Sequence, residues 1–158
     1  MATTIRPAKE TDSEKLWTLM QKLAVFEKYI DSFAITPEVI VESGFTKNPP
    51  DFYCLVAEQD SEIVGMLVYY FLPYTAQNKP AIYLKELFVE EDHRGQKIGE
   101  QLMIALRRIA KRNNCVQIKW HVAPWNEAGH RFYERFGARE NKDWLSYELN
   151  LSYPDNDL

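Results

Sequence analysis

Cysteine is nearly absent from this chain. Cys54 and Cys115 are the only two in 158 residues and stand 61 positions apart, which excludes a disulfide scaffold and leads us to expect a reducing cytoplasm. Long apolar runs are missing as well. The longest, Ile63 to Leu72, holds ten residues including Gly65, where crossing a bilayer takes about 20. The opening MATTIRPAKETD has neither the basic start nor the apolar stretch of a secretory leader, so no membrane partner is expected. The three histidines, His93, His121 and His130, lack the clustering of a zinc site, and no metal is expected. Glycine is sparse at six residues, and neither GxxxxGK[ST] nor GxGxxG occurs. P-loop and dinucleotide fingerprints are thereby excluded.

What is present is an ordinary globular composition, 46% hydrophobic and 27% charged, without a repeat or linker to divide it. One domain over residues 1–158 is expected, large enough to bury about 68–70% of the surface of its unfolded chain. Net charge is −4, unevenly spread. Between His93 and His121 stand seven cations (Arg94, Lys97, Arg107, Arg108, Lys111, Arg112 and Lys119) against Glu100 alone. A basic stripe on an acidic protein suits a locally held anion better than a nucleic acid, which calls for a basic domain overall. Cations near the end of a helix, where they offset its dipole, account equally for Arg107 to Arg112.

Thr3 to Pro7 alternate in a short strand. Thr11, Asp12 and Ser13 are N-cap candidates for a helix whose face is Leu16, Leu19, Met20, Leu23 and Phe26. Thr36-Pro37-Glu38 opens a second, short helix. Phe52 to Glu58 and Glu62 to Phe71 read as a hairpin, and the apolar second arm suits a central strand covered on both faces. Ala81 to Val89 is a third strong strand. A helix opens near Lys97 with Ile98, Leu102, Ala105, Leu106 and Ile109 inward, and stops at Asn113-Asn114. Val116 to Val122 alternate as a strand, Glu127 to Phe136 form a helix ended by Gly137, and Trp144 to Leu151 read as a closing strand. This order predicts an α+β (mixed α/β) domain with a parallel late β-α-β unit.

Two segments carry chemistry. HRGQKIGEQL, residues 93–102, places a strand end, a glycine-bearing loop and a helix start in succession, which offers free backbone N–H groups and a positive dipole end to a phosphate. VAPWNEAGHRFYERFGA, residues 122–138, sets Asn126 at a helix start and Tyr133 two turns on along the same side. Helix capping explains Asn126, and packing beside Phe132 and Phe136 explains Tyr133, equally well at this point.

Together the segments resemble the GNAT superfamily of acyl-CoA-dependent N-acetyltransferases, whose pattern is Arg/Gln-x-x-Gly-x-Gly/Ala. Arg94-Gly95-Gln96-Lys97-Ile98-Gly99 matches its first and last positions and carries Lys97 where glycine is usual. IRPA, KLAVFEKY, FYCLVAE, IVGMLVYYF, YLKELFV, HRGQKIG and WNEAGHRFYERFGA extend the likeness over most of the chain, toward spermidine/spermine and thialysine acetyltransferases.

The resemblance implies a GNAT fold, a twisted mixed sheet with splayed parallel strands and helices on both faces. It implies acetyl-CoA as cosubstrate, with its pantetheine arm along Leu87, Phe88 and Val89, its pyrophosphate on Arg94, Gly95, Gln96, Lys97, Ile98 and Gly99, and Asn126 on the cofactor's other side. The acceptor amine attacks the thioester directly. Tyr133 matches the family's general acid, since a phenol with an ordinary pKa of about 10 keeps its proton at neutral pH. Polyamine acetyltransferases carry paired acids before the phosphate loop, the first proposed as base. Here the first is Lys85 and only Glu86 remains acidic. Plain strand alternation would point these two to opposite faces. Glu27 and Asp31 stand where two carboxylates would attract a cationic amine, and Tyr74 is a candidate wall of the cleft. The expectation is acetylation of a polyamine or diamine by a homodimeric, cytoplasmic enzyme. A thialysine-like amino acid or a protein amine is the alternative acceptor, and a non-catalytic acyl-CoA-binding regulatory module is the alternative of another class.

Overall fold

A computed structural model of the chain describes residues 2–151. These residues belong to two compact units, Met1–Ala123 and Pro124–Leu158, and each is considered by itself.

The first unit is built on a five-stranded sheet in the order β1-β2-β3-β4-β5, with β1 Thr4–Pro7, β2 Tyr53–Gln59, β3 Glu62–Leu72, β4 Ala81–Val89 and β5 Ile118–Lys119. The first four strands pair antiparallel, and β4 with β5 parallel. The β2–β3 connection is tight because Asp60 and Ser61 both adopt left-handed backbone, φ 49° and 64°, the twist a two-residue hairpin requires. Helices α1 (Ser13–Phe26), α2 (Pro37–Val41) and α3 (Ile98–Arg112) complete the unit. The hydroxyl of Thr36 caps α2 by accepting from the Val39 amide at 3.2 Å.

Period-2 alternation splits the strands between two cores. Cys54, Val56, Met66, Val68 and Phe88 point to one face and cluster with Leu16, Leu19, Met20 and Leu23 of α1 and Ile40 of α2. Each fully buried leucine contributes about 1.5–3 kcal/mol. Helix α3 lies against β2, β3 and β4, burying Ile98, Leu102, Met103, Leu106 and Ala110. Gly65 permits this close packing, since an added Cβ would stand 3.2 Å from the Phe88 carbonyl oxygen and 3.4 Å from Ile98 Cγ2.

Two features of β4 place the site. Val68 faces Glu86 while its neighbour Tyr69 faces Leu84, so Lys85 is an extra residue in a β-bulge. Glu86 thereby returns to the face of Tyr83, Val68 and Phe88, the face that α1 covers. The plain alternation expected from the sequence is broken at this residue. Second, β4 meets β5 only through Ile82↔Ile118 and Tyr83↔Lys119, so Leu84 to Val89 have β3 on one side and no strand on the other among the described residues. The strand expected over Val116 to Val122 is therefore shorter than its alternation promised. The bulge falls two residues past the last pair and turns the strand away there.

In the second unit α4 runs Glu127–Arg135, and Gly137 at φ 99° supplies its left-handed stop. The closing strand expected over Trp144 to Leu151 does not form. These residues pair with no strand among the described residues, and Leu145, Tyr147, Leu149 and Leu151 are 80–90% exposed. Alternation marks a segment able to be a strand, but only a neighbouring edge makes it one.

Candidate active site

The loop after β4 opens an anion site from main chain alone. Lys97, at φ 60°, is the N-cap of α3, and no side chain caps the helix. The first intrahelical bond runs from the Gln101 amide to the Lys97 carbonyl at 3.0 Å, so the amides of Ile98, Gly99 and Glu100 precede the helical ladder. Open donors at the positive end of a 15-residue helix fit a phosphate. Gly95 is also left-handed, at φ 80°. The Lys97 position demands the backbone that glycine adopts freely, which explains the family's preference there and gives lysine a strain of about 1–2 kcal/mol.

Side chains of this loop are largely committed to holding it. Gln96 Oε1 accepts from Gln59 Nε2 at 2.9 Å, and the same Nε2 donates to Thr3 Oγ1 at 2.8 Å. Gln59 Oε1 lies 3.1 Å from His93 Nδ1, which must carry the hydrogen because a carbonyl oxygen only accepts. Gln59 is 3% exposed and ties the end of β2 to the loop. Arg94 donates from Nε to the Val89 carbonyl at 3.0 Å, with its guanidinium 5.5 Å from the Phe88 ring centre and 5.7 Å from that of Phe26. Gln96 therefore offers the ligand its backbone, and Arg94 serves first as a strut. Leu87, Phe88 and Val89, the residues expected along the pantetheine arm, have no strand on one edge among the described residues, and the Val89 carbonyl is taken by Arg94. Sequence reasoning missed Gln59, a polar residue at a strand end with no motif around it.

At the bulge a charged cluster gathers on the α1 side of the sheet. Burial raises the Glu86 carboxyl to about 7, with Lys85 pulling it down and Glu27 pushing it up. Glu27, the residue after α1, is likewise raised by burial and lowered by Lys85. Tyr29 is pushed well above the ordinary phenol range by burial and by both carboxylates. Glu27, Lys85 and Glu86 thus lie within reach of one another's charge. A half-buried carboxyl poised near neutrality can take a proton from an amine and release it again. Asp31 does not join them. Helix α1 ends at Phe26 and the chain turns through Lys28 at φ 66°, so the expected one-turn spacing from Glu27 is lost and Asp31 is exposed. Tyr74 is 93% exposed. Burial pushes the Cys54 thiol far up, which leaves it inert as a nucleophile.

In the second unit Asn126 Oδ1 caps α4 by accepting from the Gly129 amide at 3.0 Å. The fit is close, since a Cβ on Gly129 would stand 2.6 Å from Asn126 Nδ2. Tyr133 is half-buried, its ring edge-on to Phe132 at 5.2 Å.

A strand with an open edge, a glycine-turned loop and an uncapped helix start form a site of main-chain donors able to hold an anion. The chain belongs to the Acetyltransferase (GNAT) family, whose pattern matches residues 16–138. It is an N-acetyltransferase of that family. It is 33% identical over 159 residues to the mouse (Mus musculus) thialysine N-epsilon-acetyltransferase, covering 94% of this chain and 92% of the relative. It is 29% identical to the human (Homo sapiens) spermidine/spermine N(1)-acetyltransferase-like protein 1, covering 92% of this chain and 22% of that longer one. Among solved structures, an integron cassette protein of V. cholerae matches with TM-score 0.80 at 22% identity, over 96% of this chain and 94% of the other.

Proposed function

We propose that the protein transfers an acetyl group from acetyl-CoA to the terminal primary amine of a small aliphatic acceptor, with the whole chain acting as one catalytic domain. The observation that carries this is Glu86, a carboxyl raised to about 7, set by the bulge on the α1 face of a strand whose other edge is open. The family pattern spans both compact units, which supports their acting together. Bound acetyl-CoA supplies an acetyl group already activated as a thioester.

The remaining work falls to the chain. The amides of Ile98, Gly99 and Glu100 hold the diphosphate, and the strandless edge of Leu87 to Val89, whose Val89 carbonyl is shared with Arg94 Nε, takes the extended arm as an added strand would be taken. Glu86 accepts the proton an alkylammonium must lose before it can attack. Tyr133 gives a proton to the departing sulfur. Asn126 sets the start of the helix that carries Tyr133. We further propose a cytoplasmic homodimer. The exposed apolar alternation from Leu145 to Leu151 supports association with a second copy.

The acceptor is a polyamine or diamine if the two carboxylates dominate, since Glu27 and Glu86 attract cations. A second reading is an amino acid with a terminal amine. Lys85 favours it, because its charge lowers both carboxyls and its ammonium, if it enters the cleft, would pair with a substrate carboxylate. The names of the thialysine relatives support it too.

A titration with acetyl-CoA by calorimetry, followed by an acceptor panel matched in amine and differing in carboxylate, tests the proposal. Binding with turnover on any aliphatic amine supports it. Binding without turnover would make the protein a non-catalytic acyl-CoA-binding module. Higher kcat/KM for the carboxylate-bearing acceptors selects the amino acid over the polyamine.

A further inference from the structure

The last residue of β2 meets the loop after β4 through its side chain. Strand alternation puts Gln59 on the face of Leu55 and Ala57. That face adjoins the start of α3, since a Cβ on Gly65 would lie 3.5 Å from Ala57 Cβ and 3.4 Å from Ile98 Cγ2. Gln59 is 3% exposed, and both hydrogens of its carboxamide are used. One goes to Gln96 Oε1 at 2.9 Å and the other to Thr3 Oγ1 at 2.8 Å. Its Oε1 accepts from His93 Nδ1 at 3.1 Å. Two of the three partners, His93 and Gln96, thus bracket the turn at Arg94-Gly95, and the third, Thr3, immediately precedes β1.

Burial does little to hold this turn. Residues 94–97 are all exposed, and Gly95 and Lys97 take left-handed backbone. Arg94 is fixed at the Val89 carbonyl and Gln96 at Gln59, after which Ile98 enters the core. A buried amide whose hydrogens are all committed has one orientation, so it sets a definite position for whatever it binds. The amides of Ile98, Gly99 and Glu100 must point together to take an anion, and a loop already held in that shape loses less freedom when the ligand arrives.

We propose that Gln59 is the positioning residue of the cofactor end: through His93 and Gln96 it presets the loop to the shape that binds a diphosphate, with Thr3 fixing the carboxamide from behind. This rests on the acetyl-CoA reading above. Gln59 touches neither the amine nor the thioester, so its effect is confined to the part of the cosubstrate that the loop meets. A thioester that ends before the diphosphate gains nothing from the loop and is indifferent to Gln59.

The test sets wild type beside Gln59→Met, Gln96→Ala and the double variant. Two donors are used, acetyl-CoA and S-acetylpantetheine, which carries the same thioester and arm without the diphosphate. Methionine keeps the length of glutamine and suits a buried position, so Tm is expected to hold. Gln59→Met is expected to weaken acetyl-CoA binding by calorimetry about tenfold and to lower kcat/KM for acetyl-CoA equally, with kcat/KM for S-acetylpantetheine within about twofold of wild type. A merely structural role would lower Tm and spoil both donors alike. Gln96→Ala, at an exposed residue that cannot unfold the chain, is expected to lose about threefold, and the double variant no more than Gln59→Met, because both remove one contact. Wild-type affinity for acetyl-CoA in either single variant, equal losses with the two donors, or losses that multiply in the double variant overturn the role of Gln59 and leave the acetyltransferase reading standing. Should Gln59→Met fail to fold, Gln96→Ala decides by the same criteria. Wild type that binds no acetyl-CoA overturns both.

Discussion

The loop proposed to hold the diphosphate and the charged cluster proposed to meet the acceptor are built on opposite principles. The loop works with main chain. Its donors belong to whichever residues occupy positions 98 to 100, and its side chains, through the Gln59 network and the Arg94 strut, only hold the backbone in place. The acceptor cluster works with side chains, and one extra residue in a ladder decides which face they share. A site made of amides tolerates substitution wherever φ and space allow. A site made of side chains changes with one charge.

The comparison is broken most severely at the two proposed proton-transfer groups. Tyr133→Phe is expected to lower kcat by about 10²–10⁴ while acetyl-CoA binding by calorimetry is retained. A loss of cofactor binding instead would make Tyr133 a packing residue. Glu86→Gln is expected to lower kcat about 10²-fold and to remove the rise of kcat/KM with pH near 7 that the wild-type carboxyl at about 7 should produce. It also has a stability signature. Burial raises the folded-state value above the ordinary one of 4.5, so keeping Glu86 ionised costs nothing below pH 4.5, progressively more up to about 7, and a constant amount above that. Glutamine escapes this cost, and urea melts at pH 8 should show the variant more stable than wild type, by on the order of 3 kcal/mol. Equal stability at both ends of the range would mean Glu86 is solvated.

Lys85→Glu sharpens the contrast between the regions. It is expected to move preference toward diamines by roughly tenfold, about 1.4 kcal/mol of discrimination, without altering KM for acetyl-CoA. An unchanged acceptor ratio removes Lys85 from recognition. Smaller effects belong to the backbone. Asn126→Ala should cost about 1 kcal/mol in thermal or urea unfolding, because the Gly129 amide loses its cap. Lys97→Gly should gain about 1 kcal/mol by relieving the left-handed strain. A loss of stability on that change would show that the lysine side chain contributes more than its conformation costs.

The hairpin, the three main helices and the boundaries of β4 were legible in the sequence because each rests on a local signal, such as the Thr36-Pro37-Glu38 start of α2 or the apolar run of β3. Asn126 as a cap was legible for the same reason. The shortened β5 and the missing strand at Trp144 to Leu151 were not, since alternation reports the capacity to pair and not the presence of an edge. Asp31 was misplaced by extending helical spacing past the end of α1. Gln59 stands in no motif, and its partners Thr3, His93 and Gln96 lie 56, 34 and 37 residues away.

By itself the sequence determined the family, the donor-rich start of α3 and the residue types available for acid–base work, because short-range patterns of glycine, charge and hydrophobicity govern those. Only the tertiary structure decided which of them meet. The bulge at Lys85 arises from pairing between distant strands, and burial, a property of the whole packed face, is what turns an ordinary glutamate into a carboxyl poised near neutrality.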